Sequence, residues 1–372
     1  MQMPGLGYSE EQIELLDVAT TFCRDKSPID RVRKLMESDL GYDADIWAEI
    51  AALGWTAIAI PEAYNGVGLT MAEVVPVVEQ MGRHLMASPL VASTLAAQAL
   101  IAGGTDAQRA EWLPKLAEGA IGSLALSEAH GDWDLLNITA SAKVDGDSIL
   151  LSGEKQFVLW AQSADVIITS VMLDGKPALV ALTADDVAGR LRRESIIDET
   201  KRSFAVSLDG LSVPRAALLD VARAASTLAH VEQAANLLQS AEMCGGAQSV
   251  IDYTVSYLQT RNQFGKIIGE YQALKHPTVD AYVDYEKARS HLYSAANSFS
   301  DQGMGEIAVR MAKAAADGTY SFAADRAIQF HGGFGFTHDC DAGLHRRAAI
   351  FHASQYGDAA WQRAKLAPLL LG

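Results

Sequence analysis

Hydrophobic and polar positions along the chain fall into three stretches with different spacing. From residue 9 to about 120, apolar residues recur at helical intervals. From about 121 to 222, apolar runs become short and strand-like and are separated by turn residues. From about 223 onward, the helical spacing returns and alanine is abundant, which is typical of closely packed helices in a bundle. The pattern therefore predicts helices, then strands, then helices.

Local signals refine the first stretch. Ser9 precedes Glu10 and Glu11, which predicts a helix N-cap followed by favourable acidic residues. Residues 103–106 predict a turn and a second cap, before a helix that ends at Gly119. The first helix is expected to bury an apolar face made of Ile13, Leu15, Leu16, Val18, Ala19 and Phe22.

The middle stretch is predicted to be a small antiparallel β-barrel or sandwich. Asp-Gly pairs at residues 145–146 and 174–175 are typical of tight hairpin turns. The strand-like runs are residues 123–127, 138–142, 148–151, 157–159, 166–169, 178–182 and 203–208.

Charge and cysteine content exclude several classes of function. The 372-residue chain has a formal net charge of -16, which argues against binding to nucleic-acid backbones or anionic membranes. No apolar run approaches the length that spans a bilayer, so we expect no membrane insertion. Three widely spaced cysteines show no metal-binding spacing. Without a basic and apolar export signal, a cytoplasmic location is expected.

A polar segment at residues 261–272, reading Arg-Asn-Gln-Phe-Gly-Lys-Ile-Ile-Gly-Glu-Tyr-Gln, separates two long helical patterns. Arg261 falls where the helix dipole favours a cation, and Gly265 permits a sharp turn after Phe264. Such a corner can cap a helix, or it can bind a pyrophosphate and a ring. The residues alone favour capping.

Three segments in order resemble the acyl-CoA dehydrogenase family. Residues 261–266 with Tyr271, Gln272 and His276 resemble the family's flavin-contacting segment. Residues 327–337, reading Ala-Ile-Gln-Phe-His-Gly-Gly-Phe-Gly-Phe-Thr, resemble a second such segment, and residues 60–68 resemble a third near the N-terminus. Their order and spacing cover nearly the whole chain.

The resemblance implies an α+β fold with three domains. These are an N-terminal helical domain at residues 1–120, a middle antiparallel β-barrel or sandwich domain at 121–222, and a C-terminal four-helix bundle at 223–372. It also implies FAD-dependent dehydrogenation, in which a base removes the α proton of an acyl-CoA thioester and the flavin accepts a hydride from the β carbon. An electron-accepting flavoprotein and a homo- or hetero-oligomer, such as a dimer of dimers, are implied partners.

The resemblance also assigns the flavin contacts. Arg261, Gln263, Phe264 and Gln272 match the segment that contacts the cofactor across a subunit boundary, and Gln329, Gly332 and Gly333 match its partner contacts. A helix stop explains the glycine pair equally well. In the strands, the candidates for contact with the flavin ring are Leu126, Ser127, Phe157 and Leu159. We call them the ring-side residues. The family's proline and serine after this motif are replaced by Ala129 and Trp133.

The expected catalytic glutamate is missing from both positions where the family carries one. The C-terminal position falls on Gln355 or Tyr356, and the position on the first long bundle helix falls on Ala235. Glu242, seven residues farther along in an apolar run, is the preferred internal candidate, because burial there would raise the pKa of a carboxyl. A structural carboxylate paired with an arginine is the competing interpretation.

Further candidates for the base are Glu232, His352 and Asp358. Tyr356-Gly357-Asp358 resembles the Phe-Gly-Asp-like motif of a subset of the family that often works on bulky or carboxylated acyl groups, with two different subunits. Two alternatives stay open: a non-catalytic or half-site subunit whose base comes from another chain, and a flavin-binding relative that does not oxidise acyl-CoA.

Overall fold

The computed structural model describes residues 9–371. The predicted fold class is confirmed, because helices come first, then sheets, then helices again. The helices are α1 Glu10–Lys26, α2 Ile29–Glu37, α3 Ala44–Ala52, α4 Met71–Arg83, α5 Leu90–Gly103, α6 Asp106–Ala117, α7 Ala224–Thr260, α8 Gln272–Ser298, α9 Gly305–Phe330, α10 Asp341–Ser354 and α11 Ala359–Leu371. The strands are β1 Gly122–Ala125, β2 Ser141–Asp145, β3 Ser148–Ser152, β4 Glu154–Leu159, β5 Val166–Leu173, β6 Lys176–Thr183, β7 Leu191–Glu194, β8 Ser203–Ser207, β9 Leu211–Pro214, β10 Asn262–Gln263 and β11 Lys266–Ile267.

Contacts between Cα atoms divide the chain into two compact units. Among the described residues, one unit comprises 9–34, 71–86 and 236–371, and the other comprises 35–70 and 87–235. We call them the bundle unit and the sheet unit. The three domains with boundaries at residues 120 and 222 stay a prediction.

The sheet unit contains two sheets. One has the strand order β1-β5-β2-β3-β9 with β6 also paired to β5, and the other has the order β4-β8-β7. The β5–β6 hairpin turns at Asp174 and Gly175, whose φ angles are 50° and 74°, as a two-residue turn with two left-handed positions requires. Both predicted Asp-Gly sites therefore lie at hairpin turns.

Two strand pairs depart from a purely antiparallel arrangement. β1 and β2 each run parallel to β5, with Gly122 opposite Val166 and Ser141 opposite Met172. About 40 residues separate β1 from β5, which is enough chain for the return that a parallel pair needs. The sequence pattern missed β7, which carries adjacent exposed arginines, and β9, which ends at Pro214 on the edge of its sheet.

The core of the sheet unit joins helices to the first sheet. Side chains from α5, α6 and the start of α7 pack against β5 and β6. Burial of these groups supplies the main stabilisation of the unit, at about 25 cal/mol per Å² of apolar surface. The fully buried members include Ala96, Leu100, Leu113, Val166 and Ile168.

The first helix of the bundle unit buries a face that differs in part from the one predicted. Ser9 forms the expected cap, but Ile13 and Val18 are 43% and 46% exposed. The buried residues are Gln12, Ala19 and Cys23. Gln12 Nε2 donates to the Ala72 carbonyl at 3.3 Å, so a polar residue turns inward because its amide finds a buried acceptor. The predicted face was therefore wrong at Ile13 and Val18, whereas Ala19 is fully buried as predicted and Leu15, Leu16 and Phe22 are half-buried.

Helices α4 and α7 approach each other closely through two glycines. A Cβ atom built on Gly82 would lie 2.2 Å from the Glu242 carbonyl oxygen, and one on Gly245 would lie 1.8 Å from that of Glu79. Only glycine fits such backbone contacts. Beside this crossing, the fully buried Glu79 carboxylate accepts hydrogen bonds from Arg289 Nε at 2.6 Å and from the Tyr293 hydroxyl at 2.5 Å.

All three cysteines are free and buried within the bundle unit, on or beside three different helices. Burial raises the pKa of the Cys23 and Cys244 thiols above the ordinary value. The Cys340 sulfur lies 3.7 Å from the Tyr253 hydroxyl.

Candidate active site

The polar segment after α7 forms a hairpin. α7 ends at Thr260, and Gln263 on β10 pairs with Lys266 on β11. Phe264 and Gly265 occupy the turn with φ angles of 54° and 82°, so the turn lies at the residues predicted for it. We call residues 261–267 the bundle hairpin.

The bundle hairpin presents its side chains outward. Arg261 and Gln263 are exposed, and Phe264 is 85% exposed. Lys266 Nζ lies 4.3 Å from the centre of the Tyr271 ring, which holds the cation beside the start of α8. An exposed guanidinium beside an exposed ring can bind an external anion and an aromatic group.

The second segment begins where α9 ends. His331 is buried and stacks between Tyr253 and Tyr257 of α7, with ring centres 4.7 and 4.2 Å away. Its Nδ1 donates to the Ala327 carbonyl at 2.8 Å, and its buried Nε2 has no hydrogen-bond partner among the described residues. Burial lowers the pKa of His331, so the imidazole is neutral near pH 7. Because Tyr257 lies four residues before Arg261, both segments lie at the C-terminal end of α7.

The glycine pair, Gly332 and Gly333, borders open space just after α9 ends. Gly332 has a φ of 60°, and Cβ atoms built on Gly332 or Gly333 would meet nothing within 4 Å. Gly335 differs, because its Cβ would lie 2.2 Å from the Ile328 carbonyl oxygen. Gln329 is exposed beside them. The exposed backbone at the pair fits close approach by a phosphate.

The ring-side candidates meet in the sheet unit. Ser127 pairs with Gln156, whose backbone N–H donates to the Ser127 carbonyl at 2.9 Å. The next residue, Phe157, has a φ of 57° at an irregularity in β4 and is 45% exposed. Leu126 and Leu159 are half-buried, and the Leu159 carbonyl accepts from Ser123 Oγ at 2.6 Å. The structure therefore brings all four predicted residues to neighbouring positions.

The sequence pattern did not predict the buried ion pair that lies behind Ser127. Glu128 accepts a 2.6 Å hydrogen bond from Lys155 Nζ and further bonds from Thr139 and Ala140. Burial alone would raise the pKa of Glu128, but these bonds outweigh it and lower the pKa to about 2. Lys155 also donates to Ser170 at 3.0 Å. A lysine in a short strand gives no sequence signal that its amine is buried.

The preferred base, Glu242, is buried as expected at 5% exposure. Its Oε2 lies 3.8 Å from Nδ1 of His352 on α10. The same Nδ1 is 2.5 Å from Gln239 Oε1, one helical turn before Glu242. The sequence offers His352 only as a further candidate for the base, because nothing in it shows that α10 meets α7 at this level.

Residues other than glutamate occupy the positions where the family's catalytic glutamate is expected. Ala235 is fully buried and has no ionisable group. Tyr356 has a φ of 55°, and burial raises its pKa to about 12, so the phenol stays protonated near neutral pH. Glu232 is half-buried on α7 in the sheet unit.

Residues 9–371 contain neither a candidate metal site nor a candidate membrane-spanning helix. No three histidine, cysteine or acidic side chains gather as a metal site there. In the same residues, no helix combines the length and apolar content needed to cross a bilayer.

Comparison with known proteins gives the family. The model for the acyl-CoA dehydrogenase N-terminal domain matches residues 9–120, and that for the C-terminal domain matches residues 220–368. Acyl-CoA dehydrogenase IpdE2 of Mycobacterium tuberculosis is 30% identical over 345 residues, which cover 91% of each chain.

Solved structures agree. A structure titled as a variant of the Tcur3481-Tcur3483 steroid ACAD is 28% identical, covers 98% of each chain and has a TM-score of 0.86. The ChsE4-ChsE5 complex from Mycobacterium tuberculosis, at 23% identity, 99% coverage of each chain and a TM-score of 0.89, shows the shared fold alone. The chain therefore belongs to the acyl-CoA dehydrogenase family and is an oxidoreductase that acts on acyl-CoA.

Proposed function

We propose that this protein catalyses FAD-dependent α,β-dehydrogenation of an acyl-CoA thioester with a bulky acyl group. The observation that carries the proposal is the arrangement at the end of α7. The bundle hairpin, with its exposed Arg261, and the open Gly332–Gly333 pair lie there together. Both match the family's flavin segments. The ring-side residues of the sheet unit support it independently.

The described residues fit the cofactor. Arg261 would make a charge-assisted bond to the pyrophosphate, with Gln263, Phe264 and Gln272 alongside. The open backbone at Gly332 and Gly333, next to Gln329, would receive a phosphate. Leu126, Ser127, Phe157 and Leu159 would border the flavin ring. When bound, FAD supplies the acceptor for the hydride that leaves the β carbon.

Glu242 is the proposed base. Its carboxylate would take the α proton: the C–H bond breaks, an O–H bond forms, and the electron pair stays with the thioester as an enolate. A positioned base of matched pKa contributes roughly 10²–10⁴-fold to such a transfer. Burial of Glu242 disfavours its charged form and so favours proton uptake.

The substrate and partners are proposed from the relatives. The solved relative whose title names it a steroid ACAD supports a bulky acyl group. Electrons would pass to a second flavoprotein, and the working form would be a homo- or hetero-oligomer, with a dimer of dimers the simplest arrangement.

A change of Arg261→Ala tests cofactor binding. We expect the purified assembly to be yellow and the variant to lose FAD more readily, because a bond to the pyrophosphate is removed. FAD per chain is measured by absorbance after gel filtration. Arg363→Ala, at an exposed arginine on α11, is the matched control and should retain FAD like the parent. A protein that stays colourless, alone and with the product of the adjacent gene, contradicts the proposal.

One observation favours a second function, that of a half-site subunit in a heteromer. Ala235 and the Gln355–Tyr356 pair stand where the family carries its glutamate. In that case the isolated chain would never reduce its flavin with acyl-CoA, whereas the complex with a partner chain would. Anaerobic flavin bleaching by both preparations separates the two functions.

A further inference from the structure

The polar groups around Glu242 come from two helices that are far apart in the sequence. Glu242 and Gln239 lie on successive turns of α7, and His352 lies on α10, 110 residues beyond Glu242. Both Glu242 and His352 are more than nine-tenths buried, with exposures of 5% and 4%. Burying two ionisable groups side by side is costly unless they stabilise each other.

The contacts fix how His352 is held. The Gln239 amide oxygen accepts the Nδ1 hydrogen, so the ring nitrogen that lies 3.8 Å from Glu242 carries a proton. The His352 backbone carbonyl accepts a 2.7 Å hydrogen bond from the fully buried Lys313 amine of α9. Phe351 stands edge-on to the imidazole at 5.4 Å. The ring is therefore held by α7 and by its own helix, while Lys313 of α9 holds its backbone.

We propose that His352 is the counter-ion and positioning residue of Glu242, and that it keeps this buried carboxylate ionised and therefore able to accept a proton. At 3.8 Å, an imidazolium stabilises a carboxylate, and the carboxylate stabilises the imidazolium equally. Without a cation beside it, a buried carboxyl is neutral and cannot act as a base. This inference rests on the proposed role of Glu242.

Several other ionisable groups of the bundle unit have partners of their own. Most lie on α4, α8, α9 and the turn before α11. They are Glu79 with Arg289 and Tyr293, Arg83 with Asp252, Arg310 with Glu306 and Gln362, Asp317 with the Ala359 N–H, Asp358 with the Trp361 N–H, and His345 with Tyr320. Lys313 faces the His352 carbonyl, and burial lowers its pKa to about 8.

Titration of the folded protein tests the pairing without any cofactor chemistry. With histidine labelled at one ring carbon, the NMR titration midpoint of His352 is compared in the parent and in Glu242→Gln. We expect the midpoint to fall by about 1–3 pH units in the variant, because the neighbouring negative charge is gone. His345, also buried on α10 but bonded to Tyr320, is the internal control and should not move. An unchanged His352 midpoint overturns the proposal.

A second measurement tests the consequence for proton transfer. An acyl-CoA analogue with sulfur at the β position cannot lose a hydride, so α-hydrogen exchange in D₂O, followed by mass spectrometry, reports the base alone. We expect His352→Asn to move the acidic limb of the exchange rate to higher pH, because Glu242 then protonates more easily. His352→Gln provides a second variant, whose longer side chain is also a neutral amide. Exchange with the parent's pH profile in folded His352 variants overturns the positioning role.

The two proposals fail in different ways. If the parent catalyses no exchange, alone or with a partner chain, the proposed dehydrogenation is contradicted, although the titration can still show the pair. If Glu242→Gln exchanges like the parent, Glu242 is not the base, and the role given to His352 falls with it.

Discussion

At the scale of single residues, this chain places ionisable side chains where water cannot reach them. Lys155 is fully buried and Glu128 is 5% exposed, and they meet directly behind the predicted ring-side residue Ser127. Breaking one partner of such a pair leaves an uncompensated charge, whereas replacing both by apolar groups is often tolerated. The pair therefore fixes the backbone on which Ser127 stands.

Glu128→Gln should destabilise the protein by roughly 3–5 kcal/mol at pH 7, because the Lys155 amine loses its counter-ion. The pKa of Glu128 is lowered from 4.5 to about 2, so its stabilising effect is complete above pH 4.5 and disappears as the pH falls to 2. Denaturant unfolding at several pH values checks this, with Glu128→Leu/Lys155→Met as the matched double variant. A deficit of equal size at pH 7 and pH 2 contradicts the expectation.

At the scale of elements, the glycines of α4 and α7 determine how closely these helices pack. Gly245→Ala places a methyl group 1.8 Å from the Glu79 carbonyl oxygen, so the helices must separate. We expect a loss of about 1–3 kcal/mol or more in unfolding free energy, as for other overpacked contacts. Gly318→Ala on α9 is the control, because its Cβ meets nothing within 4 Å and alanine should stabilise the helix by about 1 kcal/mol. Thermal unfolding of both variants and of the parent measures these changes in stability.

Periodicity and turn chemistry predicted most of the elements, since both depend on neighbours in sequence. The Ser9 cap and the Phe264-Gly265 turn followed from such local rules. The inward Gln12 did not, because its acceptor lies 60 residues away. The meeting of His352 with Glu242 was equally invisible, since it depends on how α10 packs against α7. The assignment of the flavin contacts came from resemblance, and it stays a prediction.

At the scale of the whole molecule, two aromatic rings among residues 9–371 stand out by their exposure. Phe264 and Phe336 are each 85% exposed, and each lies in a segment that the resemblance predicts to lie at a subunit boundary. Large exposed rings of this kind mark surfaces for association.

We expect the protein to be oligomeric, and Phe264→Ser/Phe336→Ser to weaken the assembly, because two apolar contacts are lost. Sedimentation velocity over a range of concentrations measures this. Leu150→Ser is the control, since it removes an apolar side chain that is 44% exposed in the sheet unit. A parent that is monomeric both alone and with the product of the adjacent gene argues against a subunit interface.

The burial of the three thiols makes them chemical sensors of helix opening. Cys23 is on α1, Cys244 is on α7, and Cys340 immediately precedes α10. A thiol must become a thiolate in contact with solvent before it reacts with an alkylating agent or an oxidant. While the bundle unit is closed, these sulfurs resist modification. The rate at which each thiol is modified therefore records how often the helix that carries it, or for Cys340 the helix that follows it, leaves the bundle.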